Sequence, residues 1–549
     1  MPRPFHRNDK SQTTKRKSLI ALAGLALCGS LQAQDIYKVE MLSGSDLNGT
    51  ARFVGMGGAM NALGADLSTM GSNPAAIGMY RRSDVAVTAS TTSQPNGGKL
   101  GDINKVRPSF DQAGFVCAFD MGNSEDLFVN FGFNYQKKRN LKNYIGLNSV
   151  YTMGGMSQSW QMMDLAMDLN GNWLNLSPDY EDYRKTTPLT VVGYDAQMIA
   201  PTYDDQGKLT GYEPSYANRY NYYRAQWGGV QQYDFNVSCN WNNQVYAGLT
   251  VGAYNVDFHN RTEYAEELYD NEGATDVYYM ENSEALTGYG FDLKLGVILR
   301  PIEESPFRLG FSVSTPTFFE LTQRAYLYMN SPYGYTDKSG REFDRTEADV
   351  EIGNFDYRIY TPWKFNLSMA TTVGNVLALD AEYEFSGTQG AQVRYPDYEG
   401  YDYWFDTYPS SSKDYALAEQ IDEYMQPVHT FRVGAEVRLA PGVFARAGYN
   451  YVSSPFKENA FLNHFTNSPS YAYSTNTDYV NLGEINRITA GLGWRGKNFY
   501  ADFAYQYQQQ AGTAYAFHLP EADGVTNRLQ GQKFDLNRHN FMLTLGYRF

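Results

Sequence analysis

Few places in the sequence combine residue types and spacings that could do chemistry. The run Gly491-Leu-Gly-Trp-Arg-Gly496-Lys497 approaches a phosphate-binding loop, in which backbone N–H groups and a lysine cradle phosphates. Such a loop needs Ser or Thr after the lysine and a helix to follow. Asn498 stands there instead, in what reads as a strand and tight hairpin, so nucleotide binding is not expected. Gly55-Met-Gly57-Gly58 is no dinucleotide fingerprint, because no strand precedes it. The six His residues are scattered without metal-ligand spacing. No pairing of Ser with His points to a hydrolase. Neither an enzyme activity, a metal nor a cofactor is expected.

Two stretches have the residue types of a binding surface. Met156, Trp160, Met163 and Met167 would form one apolar stripe if residues 155–169 were helical. Met and Trp suit a loosely shaped greasy ligand site, although such a stripe also serves to pack a long loop. The stretch 387–426 carries Tyr395, Tyr398, Tyr401, Tyr403, Trp404, Tyr408, Tyr415 and Tyr424 among many acids. Aromatic-rich exposed loops bind proteins or glycans, nearby carboxylates could hold Ca²⁺, and packing among the loops themselves is the plainer reading.

The elements that must position these residues follow from composition. A chain of 549 residues is long enough for several domains, or for one large closed sheet with its loops. Tyr (46), Phe (31) and Gly (50) are abundant and Cys is only 3, a balance that suits pleated strands and tight turns. A mean hydropathy of −0.50 argues against a helical membrane protein. It is compatible with a membrane barrel, whose strands are apolar on one face only. A basic stretch (Lys10, Lys15, Arg16, Lys17), an apolar run from Leu19 to Leu27 and small or polar residues to Gln34 read as an export signal cleaved near Ala33. Cys28 invites lipidation, but Leu27 before it is a poor match. Six of the 45 basic and one of the 60 acidic residues fall in positions 1–33, so the remainder carries a formal charge of −20. Nucleic acid is not an expected partner of such a surface.

Alternation supplies the rest. In His539-Asn-Phe-Met-Leu-Thr-Leu-Gly-Tyr-Arg-Phe549 the odd positions are mostly apolar and the even ones polar or small. A last strand ending in Phe resembles the assembly signal of bacterial outer-membrane barrels. Similar runs predict fourteen strands, near 84–92, 113–120, 126–136, 229–241, 244–257, 285–299, 306–329, 360–373, 375–386, 427–439, 442–453, 484–495, 498–508 and 536–549, with the seventh bent at Thr315-Pro316. Short turns then alternate with long connections at 93–112, 137–228, 258–284, 330–359, 387–426, 454–483 and 509–535. That asymmetry belongs to transmembrane barrels, and an even count leaves both ends on the short-turn side. Cys117 and Cys239 sit two strands apart, roughly 10 Å, too far for a disulfide.

Residues 34–83 do not alternate. Met56, Met60, Leu63 and Leu67 recur at helical spacing, and Asn73-Pro74 starts a second short turn or helix. A compact segment ahead of a barrel fits a plug. Gly57-Gly-Ala-Met-Asn-Ala-Leu-Gly-Ala-Asp66 followed by Ser72-Asn-Pro-Ala-Ala76 resembles the N-terminal hatch of the FadL/TodX family. Gly57, Gly58, Asn73, Pro74 and Ala75 are its hatch residues. Phe311–Thr317, Phe431–Glu436, Arg446–Tyr449 with Ser453–Pro455, and Thr489–Gly493 are similar to further family stretches, in the family's order.

The expected fold is therefore all-β: a fourteen-stranded antiparallel transmembrane β-barrel with an N-terminal plug containing short helices. The expected domains are a signal peptide at 1–33, the plug at 34–83 and the barrel with extracellular loops at 84–549. The resemblance implies an outer-membrane channel for passive uptake of long-chain fatty acids or other small hydrophobic molecules, through a pocket beside the hatch and a gap in the wall. Its partners would be outer-membrane lipid and the hydrophobic ligand, and the barrel would be monomeric. The alternative is an outer-membrane barrel that docks secreted or surface proteins through its extracellular loops, as an accessory of type IX secretion does. The 137–228 connection is longer than the family pattern, and the third strand offers Gly132 but no Pro to mark a wall gap.

Overall fold

The structure is a computed structural model that describes residues 36–95, 106–122, 127–168, 170–180, 182, 185–269, 273, 275–336, 340–397, 410–458, 460–462, 468, 473, 475–519, 527 and 529–549. The predicted signal at 1–33 and Tyr398, Tyr401, Tyr403, Trp404 and Tyr408 lie outside the described residues.

Fourteen antiparallel strands close one barrel. They are β1 (Asp84–Ser93), β2 (Val106–Asp120), β3 (Phe128–Asn140), β4 (Tyr216–Trp241), β5 (Val245–Tyr269), β6 (Thr275–Leu299), β7 (Arg308–Ser314, continued as Phe318–Ser331), β8 (Thr346–Tyr360, continued as Lys364–Val373), β9 (Leu377–Ser386, continued as Gln392–Pro396), β10 (Val428–Ala440), β11 (Val443–Val452), β12 (Tyr479–Arg495), β13 (Phe499–Tyr515) and β14 (Gln532–Arg548). Closure is direct, since β1 pairs β14 from Asp84↔Arg548 to Ser93↔His539. Every predicted strand is present, and the seventh is bent at Thr315-Pro316-Thr317 as expected, because Pro316 supplies no ladder donor.

Closure decides which face meets what. The apolar face points outward and is exposed: Leu249 and Val251 on β5, Leu293, Leu295 and Val297 on β6, Phe541, Leu543 and Leu545 on β14. The alternate face, with Thr250, Asp292, Lys294 and Thr544, is buried inside. In water that arrangement would leave a broad apolar belt unsatisfied, so this is a membrane-spanning barrel. Two aromatic groups stand toward the long-connection rim: Phe110, Tyr135 and Tyr233 in successive stacked or tilted contacts, and Tyr505 stacked on and hydrogen-bonded to His539. Cys117 and Cys239 remain free thiols with β3 running between them.

Several stretches expected as connections are built otherwise. β5 and β6 have 25 residues each, so strand fills most of 258–284. At ~3.3 Å per residue such a strand is ~80 Å long, far taller than a bilayer. Within 137–228 a strand at Asn143–Tyr151 pairs the upper half of β4, followed by helices α3 (Ser159–Asp164) and α4 (Pro188–Asp195). Within 387–426 lies helix α5 (Tyr415–Tyr424). Outward positions above the belt are polar, for example Asn255 and Asp257 on β5, which is why alternating hydrophobicity did not reveal these extensions.

The segment before β1 fills the lumen. It comprises helix α1 (Ile36–Ser43), helix α2 (Ala51–Gly55) and 3₁₀ turns at Leu67–Gly71 and Pro74–Met79. The helical spacing of Met56, Met60, Leu63 and Leu67 is not one helix. These residues follow α2 through tight turns, and burial against the wall accounts for their apolarity.

Candidate functional site

The lumen is layered. At the bottom, residues 50–80 are fastened to the wall through backbone. Gly57 and Gly58 take left-handed conformations (φ 67° and 82°) that favour glycine. A Cβ on Gly57 would lie 2.8 Å from the Tyr449 amide nitrogen, and one on Gly448 of β11 would lie 2.2 Å from that of Gly57. Glu382 on β9 accepts from the Met60 and Asn61 amides at 2.7 Å each, and Asp380 accepts from the Leu63 amide at 2.8 Å. Asn73 caps the turn that begins at Pro74, accepting from the Ala75 amide at 3.2 Å and donating to the Asn61 carbonyl at 3.2 Å. Pro74 and Ala75 lie against Gly248 of β5, and Ala75 is fully buried. A chain of ion pairs runs from the plug into the wall: Arg52 grips Glu436 at 3.0 and 3.1 Å, Arg446 bridges Glu436 and Asp502 at 2.6 Å each, and Arg495 meets Asp502 at 2.7 Å. The five predicted hatch residues are thus brought together as parts of one plug.

Above the plug is a cavity of about 180 Å³. Its lining mixes polar and apolar surface in nearly equal parts, and its charges come from inward positions of β3, β6, β8, β10 and β12, which carry Lys138, Lys294, Lys364, Arg432 and Arg487, with Ser312 on β7. A bulge between Lys137 and Arg139 turns both Lys138 and Arg139 toward it. Lys294 is held by Asp292 at 2.6 Å and Asp234 at 3.3 Å, and Arg432 by Glu384 at 2.9 Å. Arg139 meets Glu40 of α1 at 2.7 Å.

Above and beside the cavity, α1 presents Ile36, Val39, Met41 and Leu42 to a cluster that includes Phe258, Phe319, Tyr357, Ile421 and Phe456. A second apolar cluster closes the top, joining the 137–228 connection to the tall upper strands. There Glu266 on β5 is buried and accepts from Ser157 Oγ at 2.5 Å, the Gln158 amide at 2.7 Å and Tyr264 Oη at 2.5 Å. Burial without a cation pushes its carboxyl up to about 7.

The regular ladder breaks at one height in three neighbouring strands, at Thr315–Thr317 in β7, Thr361–Trp363 in β8 and Gly387–Ala391 in β9, although the Thr315 amide still donates to the Leu293 carbonyl at 2.9 Å and the Thr361 amide to the Thr317 carbonyl at 3.1 Å. Thr315, Thr317, Thr361, Ser386 and Thr388 from these breaks line the cavity, so the cavity abuts the seam. The third strand is continuous, and Gly132 faces Met70 of the plug rather than a gap.

The predicted ligand stripe is not assembled as a pocket. Helix α3 covers only Ser159–Asp164, and its buried face is Ser159, Gln161 and Met162. Met156, Trp160 and Met163 are half-buried and pack against the upper cluster, while Met167 bridges to Trp173. Of the aromatic loop's described residues, Tyr395 and Tyr424 are buried in the lumen cluster and Tyr415 is exposed. The glycine run Gly491–Gly496 lies in β12 and its hairpin to β13, as expected. No group of three or more potential metal ligands occurs among the described residues. Sequence reasoning missed the inward cations. The available signal was a charged residue at an inward position of an alternating run, as in Phe291-Asp-Leu-Lys-Leu295.

No family model and no curated protein matches the chain. Among solved structures, the chain is similar to a Pseudomonas aeruginosa FadL homologue at 12% identity, over 92% of this chain and 100% of that one, with a TM-score of 0.48. It is similar to the Ralstonia pickettii toluene transporter TbuX at 13% identity, over 92% and 99%, with a TM-score of 0.45. The P. putida toluene transporter TodX gives 12% identity, over 92% and 99%, with a TM-score of 0.46. These are likenesses of chain path at an identity too low to carry a function across.

Proposed function

We propose that this chain is an outer-membrane channel for passive uptake of long-chain fatty acids or other small hydrophobic molecules. The observation that carries the reading is the position of the lumen's apolar cluster around α1 beside the broken ladder of the wall. Phe319, Tyr357, Ile359 and Val393 belong to that cluster and flank the seam of β7, β8 and β9. A hydrophobic molecule seated there in place of α1 would lie next to the membrane side of the wall, with the fixed plug blocking the straight path below. The driving force is transfer of apolar surface out of water at about 25 cal/mol per Å².

The test is accumulation of a labelled long-chain fatty acid and of labelled toluene by cells lacking the protein. Uptake of at least one label should fall several-fold, return with the wild-type chain, and not return with Asn73→Ala, Pro74→Ala. Undiminished uptake of both labels by the deletion strain would sink the reading.

A docking role is favoured by a different observation, the solid apolar packing of the cap, above which Tyr151, Tyr203 and Tyr180 are exposed. Type IX cargo secretion that fails in the deletion strain, with uptake intact, would select it.

A further inference from the structure

We infer that the cavity above the plug is a binding site for a small hydrophilic organic anion, such as a hydroxylated carboxylate, held by Lys138 and Lys364. This goes beyond hydrophobic uptake, because the charged groups of the cavity differ from the apolar cluster around α1.

The charges of the lining are unevenly satisfied. Its carboxylates are engaged: Asp292 by Lys294, Glu384 by Arg432, Glu40 by Arg139, and Asp46 by the Asn140 amide at 2.8 Å. Lys138 is only 9% exposed, yet no carboxylate comes within salt-bridge distance of it among the described residues. Its ammonium rests 4.5 Å above the Tyr254 ring. Lys364 donates to the Ser43 carbonyl at 2.8 Å, and among the described residues no carboxylate comes within salt-bridge distance of it, although Glu384 lines the same cavity. Buried Lys138 and half-buried Lys364 both line this cavity, and two cations on one cavity are stabilised by an anion between them. A second, independent observation is that buried polar atoms are left over on the same lining. The donors Arg487 Nη2 and Asn366 Nδ2 and the acceptor Asn366 Oδ1 have no hydrogen-bond partner, and the nearest carboxylate oxygen to Arg487 Nη2 is 3.8 Å away on Asp46.

The rest of the lining says what kind of anion. Ser314, Thr361 and Ser386 bring hydroxyls to one side, while those of Thr315, Thr317 and Thr388 already donate to the Pro316 carbonyl, Asp292 and the Ser386 carbonyl. Hydroxyls match a ligand that itself hydrogen-bonds, and they leave an acyl chain without partners. A volume of about 180 Å³ fits a compact molecule rather than a drug-sized one, which fills ~300–1,000 Å³.

The test is isothermal titration calorimetry of the purified full-length barrel in nanodiscs with sodium gluconate and, separately, sodium decanoate. Wild type, Lys138→Gln, Lys364→Gln and Lys138→Arg are compared, each checked for a folded barrel by heat-modifiable electrophoretic mobility. Gluconate should bind the wild type, weaken at least about tenfold in each Gln variant, persist in Lys138→Arg and weaken with added salt. Decanoate binding should be the same in wild type and Gln variants. No gluconate binding to the wild type, or binding that the Gln variants leave unchanged, overturns the proposal. Decanoate binding that depends on the lysines, without gluconate binding, overturns it too and returns the site to the amphiphile route. Cellular uptake of the hydrophobic labels is a separate readout, so failure of either reading is seen on its own.

Discussion

The lower and upper fillings of the lumen are held by different physics. Below, the plug touches the wall backbone to backbone, as where Gly57 meets Gly448, and wall carboxylates bind its amides. Such contacts have directional partners and no slack, since a side chain cannot rotate away from them. Above, α1 is buried chiefly through Ile36, Val39 and Leu42, with side-chain ties such as Tyr37 to Asn481 at 2.8 Å and the Lys38–Glu284 ion pair. Apolar contact is non-directional, so another apolar body can take its place. The difference assigns the fixed role to the lower plug and the exchangeable role to α1.

The most severe way to break that contrast is Gly448→Leu. Its Cβ would fall 2.2 Å from the Gly57 amide nitrogen, where neither backbone can yield. The plug should fail to seat, giving a leaky or unassembled barrel, read as lost heat-modifiable mobility or raised ion conductance in planar bilayers. A seated plug with wild-type conductance would refute backbone fixation.

A second test uses pH at the cap. The Glu266 carboxyl is raised to about 7 by burial, from an ordinary value of 4.5. A raised acid favours its neutral form in the folded state. Its contribution is fully present below about pH 4.5 and is lost as pH rises through about 7. That is up to about 3 kcal/mol of local stability. Hydrogen exchange of residues 152–164 should therefore speed up between about pH 4.5 and 7 after correction for intrinsic rates and level off above that, while the plug amides stay constant. Glu266→Gln should abolish the pH dependence, and its persistence in that variant would place the titration elsewhere.

The smallest expected effect is at α1. Leu42→Ala removes a buried side chain and should destabilise the upper filling by roughly 2 kcal/mol, the low end for such truncations because the neighbouring space can relax. Conductance should rise modestly with the lower plug still seated. No change in conductance would deny α1 the stopper role.

Much of this architecture was legible in the residues. Strict alternation in segments such as Leu377–Phe385 marks a half-apolar strand whatever lies on either side, because the side-chain period is two. Asn73-Pro74 announced a capped turn, because Asn caps and Pro fits the first turn of a helix. The upper halves of β5 and β6 were not legible, because outside the membrane the outward face no longer needs apolar residues and the contrast fades. The Met156–Met167 stripe was ambiguous in sequence, because loop packing and a ligand site call for the same residue types.

By itself, the sequence determined what each residue prefers locally: strand by period two, turn by Gly, Pro and Asn, and an apolar face opposite a polar one. It could not determine what either face meets, since that depends on closing β1 onto β14. Only closure made the polar face an interior and set Lys138 and Lys364 on one cavity from strands more than 200 positions apart. The same step put the breaks of β7, β8 and β9 side by side. The physical reason is that preference is written in near neighbours, whereas burial and charge pairing are fixed by groups that only the folded sheet brings within reach.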